Sequence, residues 1–316
     1  MSSSAPGDDL LWLMHQLADG DWHSGEALAS EAGISRAALS KRVGQLSRFG
    51  VQVASRSGLG YQLLTPFEPL SLDALKLPDG LRGSVVRVTE STNADLLAAD
   101  AAHDPQIRFA EFQTAGRGRR GRVWQAPYGQ QLMMSLAWSF ASWPDDLGCL
   151  PLAVGCRLAD TLHRLGATTV QVKWPNDLVV DGCKLGGILL EHRGEIGGAC
   201  RVIIGLGLNL QRFTDDHVPD QPWISLDQLL PVPVARNAVA AAISQALFAL
   251  LSDYPSACRD SWQRLDASYG RFVRIIGVGP VIEGLAQGVD ARGALQVQAA
   301  DGLHSVFSGE VSMRWA

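Results

Sequence analysis

Gln113-Thr114-Ala115-Gly116-Arg117-Gly118-Arg119-Arg120-Gly121-Arg122 sets four arginines among three glycines. It follows a run, Ile107, Phe109 and Phe112, that reads as a strand. Each arginine brings a permanent cation with a rigid fork of donors matched to carboxylate or phosphate. The glycines let backbone approach a ligand closely and adopt positive φ. The stretch is open to three readings. Gly116, Gly118 and Gly121 satisfy G-x-G-x-x-G, the dinucleotide fingerprint. That fingerprint requires a helix after the last glycine, and Pro127 and Gly129 forbid a long one here. A solvated basic loop, or a nonspecific nucleic-acid segment, is the second reading. A loop that closes over phosphate in an active site is the third, and it requires partners elsewhere in the chain.

At 316 residues there is room for two or three domains and a sizeable core. Hydrophobic residues make up 47%, a globular rather than a disordered balance. No apolar run is long enough to cross a bilayer, and residues 1–9 lack a basic n-region and an apolar signal core. A cytoplasmic protein without a membrane partner is expected. Cys149, Cys156, Cys183, Cys200 and Cys258 are widely spaced and form no C-x-x-C, so they read as reduced thiols. The seven histidines give no H-E-x-x-H pair, and no protein-ligated metal is expected. The net charge of −5 is unevenly spread. Residues 32–67 contain no carboxylate but hold Arg36, Lys41, Arg42, Arg48 and Arg56. Such a distribution confines any nucleic-acid surface to that segment.

Leu10, Met14 and Leu17 repeat at helical spacing and stop before Asp19-Gly20. Ser24 suits the cap of a second helix reaching Ala32, and Gly33 the turn after it. Ser35 suits the cap of a third helix with the stripe Leu39, Val43 and Leu46, closed by Gly50. Arg36, Ser40, Lys41 and Gln45 fall on its other face. Short helix, glycine turn and basic helix predict a helix-turn-helix with residues 35–49 as recognition helix. Alternating segments at 51–54 and 61–64, around Arg56-Ser57-Gly58-Leu59-Gly60, predict a hairpin that serves as a wing. Ser35, Arg36, Ser40, Lys41, Arg42 and Arg56 are the candidate DNA contacts, with a basic protein-interaction domain as the alternative. Thr65-Pro66-Phe67-Glu68-Pro69 reads as the linker that ends a domain spanning 1–66.

Residues 67–268 read as a mixed α/β domain. A strand at 85–88 meets Glu90-Ser91-Thr92-Asn93, where capping and ligand binding are both open. Leu132, Met134, Leu136 and Trp138 alternate as a strand, and Leu158, Leu162 and Leu165 mark a helix. Val170 and Val172 lead a strand into Lys173-Trp174-Pro175-Asn176-Asp177, where proline ends the ladder and leaves Asn176 and Asp177 at its end. Asp181-Gly182 is a two-residue hairpin signal before Cys183-Lys184-Leu185-Gly186-Gly187. Lys184 there is either a ligand lysine or an exposed hairpin lysine. Gly205, Gly207 and Asn209 lie on a further strand, and Val239, Ile243, Leu247 and Leu250 share one helix face. Residues 269–316 show short strands at 272–276, 283–287, 295–297 and 311–313, which predict a small all-β barrel.

The ordered set Ser91-Thr92-Asn93, residues 116–122, residues 173–177, Lys184 and Asn209 resembles the bacterial bifunctional biotin–protein ligases that also act as biotin-operon repressors. The resemblance runs from about Leu10 to Arg314 in the same domain order. It implies an α+β protein with an N-terminal winged helix-turn-helix, a class II synthetase-like mixed α/β ligase domain and a C-terminal SH3-like barrel spanning 269–316. Biotin contacts implied are Ser91, Thr92, Asn93, Gln113, Arg117, Gly118, Arg119, Lys184 and Gly187. Adenylate contacts implied are Gly116, Arg120, Arg122, Trp124, Asn176, Asn209 and Arg314, with Lys184 and Arg119 carrying the catalysis. The resemblance further implies ATP and biotin as substrates, Mg²⁺ carried by the phosphates, and an apo biotin carboxyl carrier protein as acceptor. Operator DNA and a homodimer of the adenylate-bound form complete the expected partners. Residues 2–8 lie outside the match and are expected to lack structure.

Two chemical steps follow from the resemblance. Biotin and ATP give biotinyl-adenylate and pyrophosphate, and then a lysine amine takes the biotinyl group. The carboxylate nucleophile of the first step is already ionised at pH 7, so cations rather than a base are needed. The amine of the second step must lose a proton, for which Asp177 is the candidate acceptor. A biotin sensor with little ligase activity gives the arginine loop and Lys184 no task. A lipoate-type ligase gives the helix-turn-helix none.

Overall fold

The computed structural model describes residues 5–213, 221–233, 235–254, 258–277, 279–309 and 311–315. Ser2, Ser3, Ser4 and the side chain of Cys258 lie outside these. The leader expected to lack structure ends sooner than Asp8, because α1 (Asp8–Gln16) begins there. Asp8 and Asp9 suit the positive end of that helix.

Ser24 and Ser35 cap α2 (Gly25–Glu31) and α3 (Arg36–Gln45), their hydroxyls accepting from the Ala27 and Ala38 N–H at 3.4 and 3.2 Å. The expected helix over 35–49 tightens into a 3-10 turn at Leu46–Phe49, and Gly50, at φ +73°, reverses the chain. β1 (Val53–Arg56) and β2 (Gly60–Leu63) pair antiparallel, with Val53 opposite Leu63. Val51 is not in the hairpin as its alternation suggests; it is buried in the core below α3. Leu13, Met14, Leu17, Leu39 and Leu46 form that core together with Phe67, Phe112 and Tyr128. The helical unit therefore shares its interior with residues on either side of the arginine loop.

A short α4 (Leu72–Leu75) leads to β3 (Arg82–Thr89), α5 (Thr92–Ala98), β4 (Gln106–Gln113) and β5 (Gln131–Phe140). Next come α6 (Leu150–Arg164), β6 (Gln171–Lys173), β7 (Asp177–Val180), β8 (Cys183–Gly194) and β9 (Cys200–Asn209). α7 (Arg236–Ser252) and α8 (Cys258–Leu265) follow. The seven strands are ordered β3-β4-β5-β9-β8-β7-β6. Only β3 and β4, joined across α5, run parallel, so the sheet is mixed. Asp181 and Gly182 both take positive φ in the β7–β8 turn, as an Asp-Gly hairpin requires.

β10 (Phe272–Ile276), β11 (Ile282–Val289), β12 (Leu295–Ala299), β13 (Gly302–Val306) and β14 (Ser312–Trp315) form an antiparallel sheet ordered β13-β12-β11-β10-β14. β13 and β14 are its two edges, and among the described residues no pairing closes it into a barrel. Its buried face, with Val273, Val297 and Met313, merges into the core of the central sheet. The Trp174 indole N–H donates to the Gly293 carbonyl at 3.2 Å across this junction.

Candidate ligand-activation site

Alternation along β5 builds the floor of the site. Leu132, Met134 and Leu136 enter the core beneath α6 and α7, so Met133, Ser135 and Ala137 project from the opposite face. On that face Ser135 lies opposite Gly205, while Met133 and Gly187 both lie opposite Gly207. α5 covers the Ala137–Ile203 end through Leu96. The glycine end stays uncovered, and above it lies a cavity of about 720 Å³.

The arginine loop rises from β4 to form one wall. Hydrogen bonds from Trp124 N–H to Gly116 carbonyl (2.8 Å) and Gly118 N–H to Arg122 carbonyl (2.7 Å) close its stem. Arg120 and Gly121, both at positive φ, form its tip. Each arginine is engaged. Arg117 lies 3.3 Å from Glu191. Arg119 donates to Asn176 Oδ1 at 3.2 Å and to the carbonyls of Ser308 and Gly309. Arg120 and Arg122 donate to Ser312 Oγ at 2.8 and 2.9 Å. Burial lowers the pKa of the Arg119 guanidinium, against the pull of Asp177. The C-terminal sheet thus holds the loop down over the cavity.

Lys184 stands opposite that loop. Its ammonium sits 2.8 Å from Asp177 Oδ1 and 5.5 Å from the centre of the Trp124 ring. Trp124 lies flat against the sheet because Gly207 carries no side chain: a Cβ there would overlap the indole. The indole N–H donates to Gln131 Oε1 (2.9 Å), and Gln131 Nε2 donates to Asn209 Oδ1 (2.9 Å). Asn209 Nδ2 reaches the Lys184 carbonyl at 3.3 Å, which closes a chain from loop to lysine. Gln131 was not found by sequence reading, and nothing local to it signals the role.

Ser91 caps α5, its hydroxyl accepting from the Ala94 N–H at 3.5 Å. Thr92 donates its N–H to Gln113 Oε1 at 2.8 Å, and its hydroxyl lies 2.7 Å from Ser135 Oγ. Asn93 accepts from Ser135 and donates to Glu191 Oε2 at 2.7 Å. Ser135 and Glu191 are therefore further site residues that sequence reading missed. Every expected ligand contact lines this cavity except Gly116, which lines a neighbouring one formed by the loop with Leu189 and Glu191. A Cβ at Gly116 would strike the Trp124 carbonyl, so its part is to close the stem. On the helical unit, Arg36, Ser40, Lys41 and Arg56 are exposed. Arg42 is paired with Asp9 at 2.8 Å, and the Ser35 hydroxyl is occupied as a cap.

Fold and site define a mixed α/β domain with a cation-lined cavity, carried behind a helix-turn-helix unit. The Biotin/lipoate A/B protein ligase family matches residues 83–209, the biotin protein ligase C-terminal domain matches 269–314, and an HTH domain matches 10–62. The chain is 37% identical to the bifunctional ligase/repressor BirA of Salmonella typhimurium, over 97% of this chain and 98% of that protein. It is 33% identical to the biotin–[acetyl-CoA-carboxylase] ligase of Mycobacterium tuberculosis, over 76% of this chain and 95% of that one. In fold it is similar to a biotin protein ligase from Aquifex aeolicus in complex with biotin and ATP, with TM-score 0.64 and 22% identity. That likeness covers 74% of this chain and 99% of the other. The chain belongs to the bifunctional biotin ligase/repressor family.

Proposed function

We propose that this chain is an ATP-dependent biotin–protein ligase that is also a biotinyl-adenylate-dependent repressor of biotin-synthesis genes. The observation that carries the reading is the cation-walled cavity over a glycine-cleared sheet, in a chain of this family. Biotin lies between Ser91, Thr92, Gln113, Arg117 and Gly187, and its carboxylate meets Lys184 and Arg119. The carboxylate oxygen attacks the α-phosphorus of ATP, and the bond to the pyrophosphate oxygen breaks. No proton moves in that step; the task is to hold two anions together, which fixed cations perform. The adenylate then rests against Trp124 and Asn209, under a loop that excludes water from the mixed anhydride. Mg²⁺ enters with the phosphates of ATP. In the second step the acceptor lysine, on an apo biotin carboxyl carrier protein, gives a proton to Asp177 and displaces AMP.

The same reading assigns residues 1–66 to a winged DNA-binding domain, 67–268 to the ligase domain and 269–316 to an SH3-like domain. β1 and β2 are the wing, and Arg36, Ser40, Lys41 and Arg56 meet the operator. Arg42 contributes only if it leaves Asp9. The adenylate-bound form dimerises to occupy a two-fold operator. Incubation with ATP plus either biotin or lipoate, followed by pyrophosphate release, tests the enzyme reading. Release with biotin alone is expected; release with lipoate alone, or with neither, overturns it.

A further inference from the structure

The cations around the cavity differ in one respect. Arg117, Arg119, Arg120, Arg122 and Lys184 each have a protein acceptor. Lys173 and Arg314 have none: among the described residues neither side chain makes a hydrogen bond or an ion pair within 4 Å. Arg314 is exposed on β14, where an unpaired guanidinium is solvated at little cost. Lys173 is 8% exposed, where an unpaired ammonium is costly.

Lys173 faces Asp177 in the β6–β7 register, but that carboxylate is committed to Lys184. The stem of Lys173 instead crosses Trp315, with the ammonium 4.8 Å from the ring centre. Burial lowers its pKa, and Arg314, Lys184 and Arg122 push the same way against Asp177. Lys173, Arg314, Lys184 and Arg122 all line the cavity, the last three disfavouring charge on Lys173, and Asp177 opposing them. A neutral ligand leaves that excess of positive charge uncompensated, and a polyanion removes it.

We propose that Lys173, with Arg314 opposite, binds the terminal phosphates of ATP and receives the pyrophosphate as it leaves. This rests on the ligase reading above. As the carboxylate oxygen bonds to the α-phosphorus, the electron pair of the broken bond passes to the bridging oxygen of pyrophosphate. Lys173 and Arg314 stabilise that developing charge. Lys173 is thereby a catalytic residue of the first step, and it has no phosphate left to hold in the second, when pyrophosphate has gone.

That separation supplies the test. Lys173→Met keeps the aliphatic stem on Trp315 and deletes the charge. Biotin-dependent exchange between ATP and pyrophosphate should show a pyrophosphate KM raised ~10-fold or more. Transfer from added biotinyl-adenylate to the acceptor should fall far less than exchange, since no pyrophosphate takes part in that half-reaction. Lys173→Arg should recover much of the pyrophosphate KM, and Arg314→Gln, at an exposed site, should raise it without disturbing the fold. An unchanged pyrophosphate KM in both charge deletions overturns the proposal, as does an equal loss in both half-reactions. Wild-type protein without any biotin-dependent exchange overturns the ligase reading itself, a different result from a defect confined to the variants.

Discussion

Lys184 is placed by backbone as much as by side chain. Its N–H donates to the Pro222 carbonyl and its own carbonyl accepts from Ile224 N–H, each at 2.9 Å. With Asp177 and the Trp124 face fixing the other end, the ammonium has little freedom left to lose when an anion arrives. Lys184→Ala should leave the fold intact and lower adenylate synthesis roughly 100-fold or more, the scale for removing one preorganised charge from a transition state. Initial rates of pyrophosphate release, with circular dichroism as the fold control, measure it. Near-normal release would reduce Lys184 to a structural partner of Asp177. The lysine was legible because its signal is local: an Asp-Gly turn, a cation and two glycines within a few residues. Gln131, Ser135 and Glu191 were not. Gln131 bridges Trp124 and Asn209, 78 residues away on another strand, and no short pattern encodes such a link. Glu191 reads as the polar end of a strand until the fold brings Asn93 and Arg117 to it.

The elements divide in the same way. Capped helices and alternating strands announce themselves, as α3 and β5 do, because their signals are spaced at one period. α4 and α8 were missed: four residues hold no periodicity, and α8 is polar apart from Trp262 and Leu265. The docking of α1 is a tertiary fact invisible at that level. His15 Nε2 lies 2.9 Å from the Tyr128 hydroxyl, and the Tyr128 N–H donates to the Phe49 carbonyl at 3.0 Å. Burial lowers the His15 pKa below its ordinary 6.5, with Arg87 and Arg236 acting in the same sense and Glu111 opposing. The fold therefore favours the neutral ring. Its contribution to stability is complete above the unfolded value and is lost as pH falls below it. His15→Gln keeps a hydrogen-bonding group without a titrating one, so its melting temperature should fall less than that of wild type between about pH 7.5 and about pH 5.5. Parallel slopes in a thermal scan across that range would remove His15 from the pH response.

At the scale of the molecule, the segment that carries Trp124 continues directly into the segment on which the helical unit sits. Pro127 lies so close to Gly50 that a Cβ there would touch its ring, and Phe49, Phe112, Tyr128 and Phe67 pack edge and face around the junction. Ordering around an adenylate at Trp124 thus lies four residues from Tyr128, whose N–H is bonded to Phe49 at the end of the proposed recognition segment. One helix-turn-helix makes few base contacts, so useful operator affinity requires two of them on a two-fold site. For the proposed dimer, a ligand that orders the loop beforehand lowers the entropy cost of association. Biotin with ATP should therefore strengthen both dimerisation and operator binding. DNA affinity should fall steeply with salt if the proposed contacts, Arg36, Lys41 and Arg56, meet phosphates through charge. Removing residues 1–66 should abolish DNA binding and leave a weaker ligase, since it uncovers Phe67, Phe112 and Tyr128 beside the site. Anisotropy of labelled operator with and without both substrates, beside sedimentation of the free protein, reads the two effects together. Equal DNA affinity in both conditions, with no change in mass, would mean that the helical unit answers to something other than the ligand in this cavity.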